Sequence, residues 1–324
     1  MTISGSERPF SPRSVTGVEH PNLHLGTAPD SWGVWFPDDP QQVPWRTYLD
    51  EVRAAGYSLT ELGPYGYLPT DPERLRDELA SRDLTLTGGT VFVALHKGHE
   101  ALEQAKRDCA TEAATIVPNG ARHVVILPEG YTDLDGNLTG PASLGDDEWT
   151  SLTTGMSELG RYVQDELGCE LVFHSHADSH VGTQEEIDRF LAGTDPDTVK
   201  LCLDTGHVAY CGADNLKIIR EHPDRIGYVH LKQVDRAIRQ RARDERLGFA
   251  PAVRLGVMTE PPDGDPPMEP VLAALGALGR DLFCIVEQDL YPCPPDVPFP
   301  IARRTQEYFV GCGLAAGRPA GRGS

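Results

Sequence analysis

Nowhere does this sequence run to the roughly eighteen consecutive apolar residues that a membrane-spanning helix needs. Its first twenty residues also lack the apolar core of a signal peptide. Positive charge is scarce, with 29 Lys and Arg against 49 Asp and Glu and a formal net charge of −20. A protein that tracks a phosphate backbone needs a cationic footprint, so a nucleic-acid partner is excluded and the acidic surface is read as serving solubility. The seven cysteines contain no CxxC pair and no regular spacing, which suits a reducing cytoplasm better than a disulfide framework. No GxGxxG follows the first strand-like run, which weakens a doubly wound, dinucleotide-binding sheet.

What the sequence does have is alternation. Strand-like runs begin at Leu23, Ser58, Leu84, His123, Glu170, Val199, Ile226 and Leu282, and each is followed by a helix-like run. Helices are expected over Trp45–Ala55, Thr70–Arg82, Glu100–Val117, Asp147–Leu167, from Thr183, and over Asp214–Glu221, Met268–Leu278 and Ile301–Val310. Capping residues and first-turn prolines mark several starts, such as Thr70-Asp-Pro-Glu and Thr183-Gln-Glu-Glu. Eight strand–helix units predict a single-domain (β/α)8 barrel over 23–312, whose sites sit at the C-terminal ends of the strands. Residues 1–22 read as a disordered polar leader and 313–324 as a flexible tail. Asp235–Pro267, Arg-rich and then Pro- and Gly-rich, reads as a long mobile loop or lid after the seventh strand.

Four strands close on groups able to share a cation. Val199-Lys-Leu-Cys-Leu runs into Asp204-Thr-Gly-His207, and the others end at His174 and His176, at His230 and Lys232, and at Glu287. A carboxylate at the exit of a buried strand is costly to desolvate unless a cation neutralises it. Carboxylate oxygen and neutral imidazole suit a divalent ion such as Mn or Co, with Mg, Zn and Fe as alternatives. Any one of these residues alone is as well explained by packing, whereas four together point to a single site. In a regular strand His174 and His176 share a face, as do His230 and Lys232, so either histidine can be the fifth-strand ligand. Lys232 is placed to hold a substrate oxyanion or move a proton, or else to make a salt bridge at the barrel mouth.

Leu203-Asp-Thr-Gly-His207, Tyr228-Val-His-Leu-Lys232 and Val286-Glu-Gln288 resemble the metal motifs of the xylose-isomerase-like barrels, which include sugar isomerases, ketose epimerases and inosose dehydratases. Leu25-Gly-Thr-Ala-Pro-Asp-Ser-Trp-Gly33 and Glu61-Leu-Gly-Pro-Tyr-Gly-Tyr67 are similar to the inosose dehydratase group in particular. The resemblance implies a divalent ion held by His174, Asp204, His230 and Glu287. The epimerases carry a glutamate where this chain has His174, so a symmetric two-glutamate proton exchange fits less well than elimination.

The reaction expected from the resemblance is loss of water from a keto-cyclitol or keto-sugar such as 2-keto-myo-inositol, through a metal-stabilised enediolate. Glu287, His176 or His207 takes the proton, and Lys232 or a histidine protonates the departing hydroxyl. Asp30, Trp32, Glu61, Tyr65 and His96 are the candidate substrate-binding residues, with Tyr67 and Glu129 also near strand ends. Three alternatives stay open: an isomerase or epimerase using the same ion, β-elimination from a 3-keto-glycoside, and a barrel that binds a sugar without turning it over. The partner expected is a small polyhydroxy ketone, with no nucleic acid and no membrane. Self-association through the outer helices is left open, and the expected location is cytoplasmic.

Overall fold

The computed structural model describes residues 17–317. Eight strand positions pair in parallel around a barrel: His20–Thr27, Leu59–Thr60, the split third strand, His123–Pro128, Glu170–His174, Val199–Asp204, Ile226–Leu231 and Leu282–Val286. The third strand is two pieces, Thr85–Leu86 paired to the second strand and Gly88–Val93 paired to the fourth, so a break at Thr87 closes the ring. The first strand pairs with the eighth in register from Leu23↔Leu282 to Thr27↔Val286. The (β/α)8 architecture expected from the alternation is the observed one.

Alternation of side chains explains how the barrel is filled. Ala28, Val125, Val172, Cys202, Tyr228 and Ile285 form a compact apolar plug inside it, and the Tyr228 hydroxyl donates to Thr87 Oγ1 at 2.7 Å. Residues facing outward, among them Leu25, Val124, Phe173, Leu201 and Val229, pack against the helices in the main core. The helices Trp45–Ala54, Pro72–Ala80, His99–Ile116, Asp146–Asp165, Gln184–Gly193, Asn215–Glu221, Met268–Gly276 and Pro298–Gly311 fall where the sequence put them. Their starts use the expected caps: Asp71 accepts from Arg74 N, and Thr183 with Glu186 closes a capping box.

Three boundaries move. The first strand begins at His20, inside the segment read as a leader, and residues 1–16 of that segment lie outside the described residues. The tail is not wholly free, because Leu314–Ala315 pairs with the first strand and His24 Nδ1 meets Gly317 O at 2.8 Å; residues 318–324 lie outside the described residues. The largest correction concerns Asp235–Pro267. It holds two helices, Arg236–Glu245 and Phe249–Arg254, and its strand Met258–Thr259 pairs antiparallel with Gln233–Val234. The insertion has its own apolar cluster, including Val234, Ala242, Phe249, Ala252 and Val257. Its scattered prolines and glycines hid a packed unit whose helices are too short for a clear periodic signal.

Candidate active site and metal centre

The motif Asp204-Thr-Gly-His207 makes a site because each position has a separate task. Asp204 ends the sixth strand and is the N-cap of an unforeseen short helix, Thr205–Cys211, accepting from His207 N at 2.6 Å. Thr205 binds the backbone of Lys232 twice, its hydroxyl donating to the carbonyl at 2.7 Å and accepting from the N–H at 2.9 Å. Gly206 leaves room for the Lys232 stem, since a Cβ there would sit 2.6 Å from Lys232 Cγ. The His207 ring reaches Lys232 Nζ at 3.3 Å.

The pairing register does the rest. Asp204 lies opposite His230 and His174 opposite Cys202, and Glu287 N–H donates to Leu231 O, so four separate strands deliver donors to one rim. His174, Asp204, His230 and Glu287 each present one donor atom, all within 4.8 Å of one another. His230 Nδ1 is 2.9 Å from Glu287 Oε2, yet it is out of line for a hydrogen bond. Nδ1 of His174 is likewise buried without a hydrogen-bond partner among the described residues. Buried polar atoms are rarely left unpaired, and two imidazoles with two carboxylates are a donor set suited to a divalent cation.

Surrounding groups orient this set. Glu61 Oε1 is 2.9 Å from His230 Nε2, a contact that orients the ring so that Nδ1 faces the carboxylates. Burial opposes ionisation of Asp204, but the Lys232 charge and the hydrogen bond from His174 outweigh it and hold its carboxyl well below the usual range. Burial is likewise overcome at Glu287, where His230 and Lys232 hold the carboxyl down to about 2. Lys232, fully buried, lies 2.8 Å from Asp289, 3.2 Å from Glu287, 3.4 Å from Asp204 and 3.8 Å from Asp30. Those carboxylates overcome the cost of burying its charge and keep its ammonium protonated well above the ordinary lysine range.

His176 lies beyond the end of the fifth strand and is not one of the four converging donors. Its Nδ1 faces the Ala177 carbonyl at 2.6 Å, which fixes the proton there and leaves Nε2 unprotonated. Burial and His174 lower its pKa to about 4. His207 accepts the Ala177 N–H on Nδ1 at 3.2 Å, lies against His176 with ring centroids 3.9 Å apart and planes tilted by 35°, and is kept neutral by burial, His176 and Lys232.

A cavity of about 500 Å³ opens onto these groups, and Asp30, Glu61, His174, His176, His207, His230, Lys232 and Glu287 all line it. Five other candidates do not line it. Trp32 is fully buried, edge-on to Tyr48, with Nε1 donating to Glu51 at 2.7 Å. Tyr65 is exposed on the loop away from the cavity, while Tyr67 is buried and its hydroxyl donates to Val43 O. His96 packs on His180 and faces Glu129 at 3.7 Å, and Glu129 is engaged by Lys97. Their chain positions near strand ends were right, but their side chains turn into loop packing or, for Tyr65, to the surface.

Sequence reasoning missed Asp289, Trp35, Asp178 and Phe249, which also line the cavity. Asp289 had a signal: it is a second carboxylate two residues past Glu287, at the exit of the same strand. Trp35 comes from a loop and Phe249 opens a six-residue helix of the insertion, and neither carried one.

A family model described as a xylose isomerase-like TIM barrel matches residues 49–305. Inosose dehydratase of Geobacillus thermodenitrificans (strain NG80-2) is 31% identical over 303 residues, spanning 90% of this chain and 98% of that protein. Inosose dehydratase of Lacticaseibacillus casei is 32% identical over 300 residues, spanning 89% and 96%. Among solved structures, the probable 3-DHS dehydratase AsbF from Bacillus anthracis superposes with a TM-score of 0.67 at 13% identity, covering 89% of this chain and 98% of that one. The IOLI protein with a bound zinc atom gives a TM-score of 0.66 at 16% identity, covering 90% and 99%. At those identities the structural likeness speaks for the fold alone.

Proposed function

This chain belongs to the xylose isomerase-like TIM barrel family, and on that premise we propose that it is a divalent-metal-dependent dehydratase acting on a keto-cyclitol such as 2-keto-myo-inositol. The observation that carries the reading is the convergence of His174, Asp204, His230 and Glu287 beside a buried lysine and an unprotonated imidazole. The inosose dehydratase relatives, matched over about nine-tenths of this chain, support the substrate class.

His174, Asp204, His230 and Glu287 would hold the ion, which when bound polarises a ketone and acidifies the neighbouring C–H. The protein supplies the proton traffic. His176, fixed by Ala177 with Nε2 free and a pKa lowered to about 4, is neutral at physiological pH and takes the proton next to the carbonyl. Lys232 places a fixed positive charge beside the oxygen that becomes negative. Asp30 reaches the same end of the cavity, with Oδ2 3.8 Å from Lys232 Nζ. Burial and Asp289 push its carboxyl well above the usual range, so Asp30 carries the proton that the departing hydroxyl needs. With an imidazole as base and a separate carboxyl as donor, elimination is favoured over a symmetric epimerisation.

The test is incubation of the metal-loaded chain with 2-keto-myo-inositol in deuterated water. Dehydration gives a product absorbing in the ultraviolet. Recovery of deuterated ketose isomers without dehydration would instead identify an isomerase.

A further inference from the structure

Only the inner end of the cavity is built for a polyol. Beyond the histidines its wall is apolar, formed by Trp35, Phe36, Phe92, Leu127, Leu134 and Phe249. Phe92 sits near the end of the third strand with 61% of its surface exposed, and Leu134 and Phe36 are 40% and 38% exposed. Large apolar side chains gathered at a cavity mouth mark a binding surface. The two carboxylates on that side are already engaged. Asp178 accepts from Thr132 Oγ1 at 2.7 Å and from Phe249 N at 2.6 Å. Asp133 turns back onto Asn137 and the backbone of its own loop.

A bare six-membered polyhydroxy ketone fills only part of a cavity of about 500 Å³ and meets mostly carbon along this wall. The wall is also held in place. Phe249 is tied through its N–H to Asp178, its ring lies 4.8 Å from His207, and Trp35 lies nearly parallel to it with centroids 6.5 Å apart. The apolar surface is therefore continuous with the histidine end.

We propose that Trp35, Phe92, Leu134 and Phe249 form a second subsite for a flat apolar group covalently attached to the polyhydroxy ring, so that the preferred substrates are aryl-substituted keto-polyols. This inference rests on the dehydratase reading for the chemistry at the inner end only. The substituent stacks between aromatic side chains while the ring's carbonyl and hydroxyls face the histidines and carboxylates.

The experiment separates binding from turnover. Affinities of phenyl β-D-glucopyranoside and methyl β-D-glucopyranoside for the full-length, metal-loaded chain are measured by calorimetry, and dehydration of 2-keto-myo-inositol is assayed separately. The phenyl compound is expected to bind at least about tenfold more tightly than the methyl compound. Phe92→Ser is expected to bring the two within about threefold, and Leu134→Ser, on an exposed loop, serves if Phe92→Ser does not fold. Equal affinities in the parent chain overturn the subsite, even if 2-keto-myo-inositol is dehydrated. A phenyl preference with 2-keto-myo-inositol left intact keeps the subsite and removes the dehydratase reading. Self-association abolished by Phe92→Ser, with no phenyl preference, assigns the patch to a second copy of the chain and overturns the proposal.

Discussion

His230 Nε2 and Glu61 Oε1 lie 2.9 Å apart although 169 positions separate them in the chain. That contact sets the orientation of a ring whose other nitrogen faces Glu287 at 2.9 Å. Glu61 thus acts on the candidate metal centre without being one of its four converging donors.

Glu61→Ala is expected to weaken metal affinity about 10- to 100-fold, the usual consequence of losing the partner that orients a ligand imidazole. Competition against a chromogenic chelator measures this directly. An unchanged affinity would leave Glu61 as a packing residue.

Lys232→Met is expected to separate metal binding from chemistry. Its loss leaves Asp30, Asp204, Glu287 and Asp289 without their shared cation. Metal content should stay near the parent value while turnover falls by roughly 10²- to 10⁴-fold. Metal-stripped Lys232→Met should also melt earlier, because buried carboxylates are left uncompensated. Full turnover in this variant would reduce Lys232 to a structural salt bridge.

A pH effect is expected away from the site, at Glu112 on the helix His99–Ile116. Burial pushes its carboxyl up to about 8, and the group occupies the space a side chain at Gly89 would need. A carboxyl raised in the folded state binds more protons there than in the unfolded chain. Its contribution to stability is therefore fully present below about 4.5 and is lost as pH climbs to about 8, by on the order of a few kcal/mol. Glu112→Gln should flatten that slope and raise the melting temperature at pH 8. Denaturant melts at pH 5, 6.5 and 8 check this, and parallel slopes for the two proteins would contradict it.

The fold was readable because a (β/α)8 chain repeats its signal eight times, and a missed boundary such as His20 changes nothing downstream. The four converging residues were readable because ligand types stand at the ends of apolar runs. His174 could not be told from His176, since the strand stops at His174 and the period-two rule lapses there. Trp32 and His96 misled for a related reason. Chain position near a strand end places a backbone at the rim, but the loop's own turns decide whether the side chain faces inward. Trp32 belongs to the turn Pro29–Trp32, which carries its ring to Tyr48. Phe249 enters from a packed insertion that pattern reading took for a mobile loop or lid, and no local feature announces that it reaches His207.

The most direct measurement is divalent-metal content per chain by elemental analysis after dialysis, made on the parent and on Asp204→Ala and His230→Ala, with circular dichroism to establish folding. The account predicts about one equivalent in the parent, almost none in either folded variant, and loss of 2-keto-myo-inositol dehydration in step with the metal. Undiminished metal in both variants, or dehydration by a chain stripped of metal, would contradict it.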